Sequence, residues 1–110
     1  GIAMDSQLKR GVLEICVLAA MRDGDAYGYK IIKDLSPYME VSESTLYPIL
    51  KRLETSGCFT VYSVEHNGRL RKYYRITAAG RERITDFLGE WDSVMRAYRF
   101  IEGDIDHDKN

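Results

Sequence analysis

The fold is decided by residues 42–77, which read SESTLYPILKRLETSGCFTVYSVEHNGRLRKYYRIT. Early in this stretch the apolar residues recur every three or four positions, which predicts a helix over residues 43–56. The Ser42 hydroxyl is a suitable N-cap, and Gly57 can take the left-handed conformation that ends a helix. The buried side of this helix is expected to consist of Leu46, Ile49, Leu50 and Leu53.

Pro48 complicates this helix, because it falls in the second turn and has no backbone N–H to donate. We expect a local bend at this position. The alternative is that the helix begins only at about Tyr47, so that the proline lies near its first position, where the missing donor costs nothing.

After Gly57 the pattern changes to two β-prone runs, residues 59–64 and 70–76. The pair Asn67-Gly68 lies between them, and both residues tolerate the positive φ of a tight hairpin turn. Thr77 is then expected to cap a last helix of about 24 residues. The stretch therefore predicts a helix, a β-hairpin and the start of a second helix.

Two further helices are predicted before this stretch, over residues 7–22 and 26–35. We expect Gly24 to end the first of them and Asp25 to cap the second. The element order is helix, helix, helix, strand, strand, helix. This is a mainly α fold with a small β-hairpin (α+β), the winged helix-turn-helix arrangement.

The formal net charge of −1 hides a strong segregation of charge along the chain. Residues 46–83 carry eight basic against three acidic side chains, a net charge of +5. Residues 1–45 carry −2 and residues 84–110 carry −4. Positive charge gathered in one segment predicts that this segment meets an anionic partner such as DNA.

The sequence offers no arrangement for catalysis, a metal ion or a cofactor. Cys16 and Cys58 lie far apart without a CxxC pair, and we expect both to be buried free thiols. His66 and His107 have no neighbouring nucleophile or paired carboxylate. No apolar run is long enough for a membrane span, and we expect a cytoplasmic protein that is not an enzyme.

The third helix is the one that can enter a major groove of double-stranded DNA. Its solvent side would present hydroxyls and cations that can bond bases or phosphates. The hairpin is the wing of this fold, and its tip would bind the DNA backbone or reach a minor groove. The DNA-binding residues predicted from these two elements are Ser42, Ser44, Thr45, Tyr47, Lys51 and Arg52 on the helix, and Arg69, Arg71 and Lys72 on the wing.

At residues 8 to about 98 the chain resembles the PadR family of transcriptional regulators. The motifs that carry the resemblance are Tyr27-Gly28-Tyr29 with Ile31, residues 44–54 with Gly57, residues 68–77, and Gly80. Leu70 departs from the pattern, because family members often carry proline there. Because it has a single helix after the wing, the chain resembles the short PadR subfamily. The resemblance also adds Tyr27 to the predicted DNA-binding residues and implies a two-fold dimer that represses a nearby gene.

A dimer is also predicted on physical grounds, because a last helix roughly 36 Å long extends beyond what so small a domain can cover. The predicted dimer interface consists of Leu8, Val12, Ile15, Ala19, Leu88, Trp91, Val94, Met95 and Tyr98. Such a homodimer would bind an inverted-repeat operator. We assign residues 4–77 to a DNA-binding domain, 78–102 to a dimerisation helix, 103–110 to a disordered acidic tail and 1–3 to a remnant of an expression tag.

Some short family members bind flat hydrophobic compounds between their subunits against a tryptophan of the last helix, and Trp91 matches that position. A planar hydrophobic effector would then lie against Leu8, Ile15, Leu88, Trp91 and Met95. The alternative is that these residues form an interface only. A second alternative concerns the whole protein, which would then be a winged-helix interaction module without DNA binding.

Overall fold

The computed structural model describes residues 5–103, and the elements follow the predicted order. A two-stranded antiparallel hairpin separates three helices from a fourth. The elements are α1 (Ser6–Ala19), α2 (Gly28–Leu35), α3 (Glu43–Thr55), β1 (Phe59–His66), β2 (Arg69–Ile76) and α4 (Ala78–Glu102). The winged helix-turn-helix prediction is therefore confirmed.

The junction between α1 and α2 differs from the sequence prediction. Helix α1 ends at Ala19, three residues before the expected end, and Gly24 does not take the left-handed conformation. Asp25 does not cap α2, which follows Tyr27 without any side-chain cap hydrogen bond. Its carboxylate instead accepts hydrogen bonds from two strand residues of the wing. These tertiary partners outcompete the local capping role that the sequence suggested.

Helix α3 runs unbroken through Pro48, so the alternative start at about Tyr47 is wrong. The Ser42 hydroxyl accepts a hydrogen bond from the Thr45 backbone N–H at 3.3 Å, as a capping residue does. Gly57 closes the helix with a φ of 75°. The proline leaves the Ser44 carbonyl without its helical donor, and because Ser44 is exposed, water can take that place.

The wing forms around a turn in which Asn67 and Gly68 have φ values of 51° and 78°. This is the positive-φ turn expected for an Asn-Gly hairpin. Pairing is continuous from Phe59 opposite Ile76 to the tip, and it includes Leu70 opposite Glu65. Ala26 adds a bridge that the sequence did not indicate, since its N–H and C=O bond the Tyr74 backbone at 3.1 and 2.7 Å.

A single apolar core joins α1, α2, α3, the base of the wing and the first turns of α4. Its fully buried side chains include Leu13, Val17, Leu18, Met21, Ile31, Leu46 and Leu53. Cys58 is buried, but Cys16 is only half-buried, with its Sγ 3.9 Å from the Met39 Sδ. Partial burial raises the pKa of the Cys16 thiol.

Two further observations concern membrane-spanning helices and metal ions. No helix among residues 5–103 combines the length and the apolar character that crossing a bilayer demands. Within the same residues, no three His, Cys, Asp or Glu side chains are grouped to hold a metal ion. The predicted tag remnant and the acidic tail beyond Gly103 lie outside the described residues.

Candidate nucleic-acid interface

The outer face of α3 is open to solvent along its whole length. Ser44, Tyr47 and Lys51 are exposed and point away from the apolar side that packs into the core. Three hydroxyls cluster at its first turn: Ser42 Oγ lies 3.0 Å from Ser44 Oγ and donates to Thr45 Oγ1 at 3.1 Å. The face can therefore offer hydroxyl donors and acceptors together with one lysine cation to a ligand.

A groove of about 610 Å³ separates α3 from the wing and the start of α2. Lys51 stands on the helix side of this groove, and Arg71 and Lys72 belong to the strand opposite. Glu43 and Glu54 also line it, so the groove is not uniformly positive. The remaining lining residues include Tyr27, Tyr29, Tyr47, Leu70 and Tyr74.

Arg71 is held in place by the aromatic ring of Tyr27, the residue just before α2. Its guanidinium carbon lies 4.3 Å from the centroid of the Tyr27 ring, a cation–π contact. The Tyr27 ring meets Tyr73 edge-on at 5.6 Å, and Tyr73 stacks on Tyr62 at 5.5 Å. Tyr27, predicted as a DNA-binding residue, therefore also supports a cation of the wing.

The base of the wing is fixed by an acidic residue that sequence reasoning had given another role. Asp25 accepts hydrogen bonds from the Tyr62 hydroxyl and, at 2.9 Å, from the Arg75 guanidinium. The Arg75 hydrogen bond, with help from Tyr62, holds the pKa of the Asp25 carboxyl below its usual range. No local signal could have found this cluster, because its members are 37 and 50 positions apart.

Arg52, which was predicted to face DNA beside Lys51, makes an ion pair with a residue of α1. Its Nε and Nη2 both lie 2.9 Å from Glu14 Oε1 on α1. The second oxygen of Glu14 accepts a hydrogen bond from Arg83 of α4 at 2.8 Å. The half-buried Glu14 thus ties α3 to α1 and α4, while the Arg52 side chain stays 39% exposed.

The residues predicted for the dimer interface lie on two elements. Helix α4 leaves Leu88, Trp91, Val94, Met95 and Tyr98 exposed, and α1 contributes the exposed Leu8 with the half-buried Val12, Ile15 and Ala19. We call these nine residues the α1/α4 stripe. The Trp91 ring stacks on Phe87 with 5.9 Å between centroids.

Most of the residues predicted for an effector pocket lie outside the groove between α1 and α4. The groove between α1 and α4, about 400 Å³, is lined by only one of them, Ile15. Its other lining residues are Gly11, Glu14, Arg83, Asp86, Phe87 and Glu90. A planar ligand enclosed by the predicted five residues would need a second copy of the chain.

The chain is similar to known regulators over most of its length. The family described as "Transcriptional regulator PadR-like family" matches residues 17–86. The transcriptional regulator Rv3488 of Mycobacterium tuberculosis is 33% identical over 81 residues, which are 73% of this chain and 76% of that protein. The negative transcriptional regulator PadR of Bacillus subtilis is 29% identical over 82 residues, 70% of this chain and 45% of that protein. A solved transcriptional regulator from Clostridium thermocellum superposes with a TM-score of 0.78 at 31% identity, covering 86% of this chain and 96% of that chain.

Proposed function

Because the chain belongs to the PadR-like family of transcriptional regulators, we propose that it binds double-stranded DNA sequence-specifically as a homodimer and represses transcription. It is a transcriptional regulator and not an enzyme. The observation that carries the proposal is the open, hydroxyl-bearing face of α3 beside a wing that presents Arg71 and Lys72. The proposal includes the cytoplasmic location expected from the sequence.

Helix α3 would read bases in the major groove. Side chains of Ser44, Thr45 and Tyr47 can exchange hydrogen bonds with base edges, and Lys51 can bond guanine or a phosphate. Arg52 holds α3 against α1 through Glu14, and because its side chain is 39% exposed it stays a predicted DNA contact. Substitutions of Thr45 or Tyr47 are accordingly expected to change sequence preference more than overall affinity.

The wing would hold the DNA backbone. Arg69 and Lys72 are exposed on β2, and Arg71 is oriented by the Tyr27 ring. Cations that bind phosphates release counterions, so each such contact contributes to the salt dependence of binding. The wing would therefore supply affinity for every sequence, while α3 supplies the choice among sequences.

The test is the salt dependence of binding for the double variant Arg71→Gln/Lys72→Gln. A matched control, Arg22→Gln/Arg96→Gln, removes the same charge from positions that line neither the wing groove nor the exposed face of α3. Loss of two phosphate contacts is expected to make the negative slope of log K against log salt shallower by about 1.8 per protomer. The assignment of the wing is wrong if its variant keeps the slope of the control at every salt concentration.

Repression and dimerisation are supported less directly. A relative that covers 70% of this chain is named a negative transcriptional regulator. The α1/α4 stripe offers an apolar surface for a second copy, which would set two reading helices about one turn of DNA apart, or a multiple of it, on an inverted repeat. A flat hydrophobic effector between the two copies stays a prediction, supported only by the exposed Trp91 on this stripe.

The alternative, a winged-helix interaction module, predicts a different result in the same experiment. Wild-type protein would then fail to bind any duplex even at low salt, while remaining folded and dimeric. The cations of the wing favour DNA binding, since a surface that binds only protein has no need of Arg69, Arg71 and Lys72 together.

A further inference from the structure

A second groove, of about 320 Å³, lies on the side of α3 away from the wing. It separates α3 from the first two turns of α1 and has an apolar floor of Leu13, Pro48 and Ile49. Its rim carries two cations of α1, Lys9 and Arg10. The remaining lining residues are Ser6, Thr45 and Arg52.

The charge of this groove is positive and largely uncompensated. Lys9 and Arg10 are exposed, and within residues 5–103 neither side chain makes an ion pair or a hydrogen bond. Arg52 is already engaged by Glu14. Unlike the wing groove, which Glu43 and Glu54 help to line, this groove has no acidic lining residue.

The spacing of residues along α3 fixes where the two grooves lie. Glu43, Tyr47 and Glu54 line the wing groove, whereas Thr45, Pro48 and Arg52 line the α1 groove. At 100° per residue, Ser44 and Thr55 fall between these two sets, on the outermost line of the helix. The exposed edge of α3 is therefore flanked by cations on both sides, from the wing on one and from α1 on the other.

The charges of a DNA major groove complement this arrangement, because negative charge borders the groove on both sides. It is about 12 Å wide and is bordered by a phosphate backbone on each side. A helix seated in it meets one backbone on each flank, and phosphate contacts on both flanks fix its register. Because the wing lies on one side of α3, it can reach only one of these two backbones.

We propose that Lys9 and Arg10 form a second phosphate-binding limb, which holds the DNA backbone opposite to the one held by the wing. The inference rests on the proposed DNA binding and deepens it, because it adds two contact residues outside the helix-turn-helix and the wing. The α1 limb and the wing together clamp α3 in the groove. DNA phosphate is the ligand, recognised through its charge and not through base sequence.

The test is the double variant Lys9→Gln/Arg10→Gln, compared with Arg22→Gln/Arg96→Gln, which removes the same charge from the turn after α1 and from α4. We expect the negative slope of log K against log salt to become shallower by about 1.8 per protomer, and by about 0.9 for either single variant. Affinity at low salt should fall at least about tenfold for all sequences. Both side chains are exposed and glutamine is a good helix former, so the melting temperature should stay that of the wild type.

A second measurement locates the contacts. Single phosphates of a duplex are replaced by neutral methylphosphonates, and binding is compared between wild type, the α1 variant and the wing variant. A phosphate that the α1 limb contacts should weaken binding of the wild type when it is neutralised, but not binding of the α1 variant. A phosphate that the wing contacts should likewise affect the wild type but not the wing variant. The two sets of phosphates are expected on opposite backbones. A slope equal to that of the control, or the same set of phosphates for both variants, overturns the second limb. Failure of the wild type to bind duplex DNA would instead overturn the proposed function.

Discussion

At the scale of single residues, Gly80 shows how one missing side chain sets the position of α4. A Cβ added there would lie 2.2 Å from the Cys58 carbonyl oxygen and 2.7 Å from Ile76 Cγ1. The carbonyl cannot easily move, because it accepts a hydrogen bond from the Thr77 N–H at 3.0 Å. We expect Gly80→Ala to lower the free energy of unfolding by about 2–3 kcal/mol, measured by urea denaturation.

The control is Gly89→Ala, a glycine in the middle of the same helix. A Cβ at this position has nothing within 4 Å, and alanine favours the helix more than glycine does. This variant should gain up to about 1 kcal/mol of stability. If the two substitutions shift the urea midpoint in the same direction, close approach to Cys58 is not the reason for the glycine at position 80.

At the scale of elements, the wing depends on Asp25 for its attachment to the domain. The carboxylate contributes stability only while it is ionised, because its pKa is lowered by Arg75 and Tyr62. That contribution is full above the unfolded pKa of about 3.9 and is lost as pH falls through the lower, folded value. We expect Asp25→Asn to speed amide exchange in both wing strands at pH 7.

Hydrogen exchange measured residue by residue tests this prediction. The difference between Asp25→Asn and the wild type should be confined to β1, β2 and the Ala26 bridge, and should shrink once acid protonates the wild-type carboxylate. Asp23→Asn is the control, since Asp23 is exposed and, within residues 5–103, its one ion pair is a long one of 3.9 Å to Arg22. Equal exchange in the wing for all three proteins at pH 7 would refute the role of Asp25.

At the scale of the whole molecule, α4 carries apolar surface that one protomer does not cover. The helix has 25 residues, and Leu88, Val94 and Tyr98 are 59%, 47% and 49% exposed. A contiguous apolar stripe of this kind marks an interaction surface. We expect Val94→Asp to raise the dimer dissociation constant at least about a hundredfold, since an interface would have to bury an unpaired carboxylate.

Sedimentation velocity at micromolar concentration measures this change. Ser93→Asp is the matched control, because it adds the same charge one position away, about 100° around the helix and outside the arc that carries the stripe. The wild type and Ser93→Asp should sediment as dimers and Val94→Asp as a monomer. A dimeric Val94→Asp variant would show that the two copies associate through another surface.

The features that the sequence by itself determined are local ones. The cap at Ser42, the cap at Thr77 and the Asn67-Gly68 turn formed as predicted, because each depends on hydrogen bonds or dihedral angles within a few residues. The periods of the apolar residues gave the number, type and order of the elements. Even a proline inside α3 did not break it, since the buried side of that helix is continuous through Pro48.

Only the tertiary structure decided which charged groups remain free to meet a ligand. Arg52, predicted to face DNA, is also paired with Glu14, which lies 38 positions earlier, and Asp25 bonds residues 37 and 50 positions later. Lys9 and Arg10 were overlooked because they lie in a segment of net negative charge. Charge counts along the chain average over residues that folding separates, whereas an ion pair or a basic groove depends on how the helices pack.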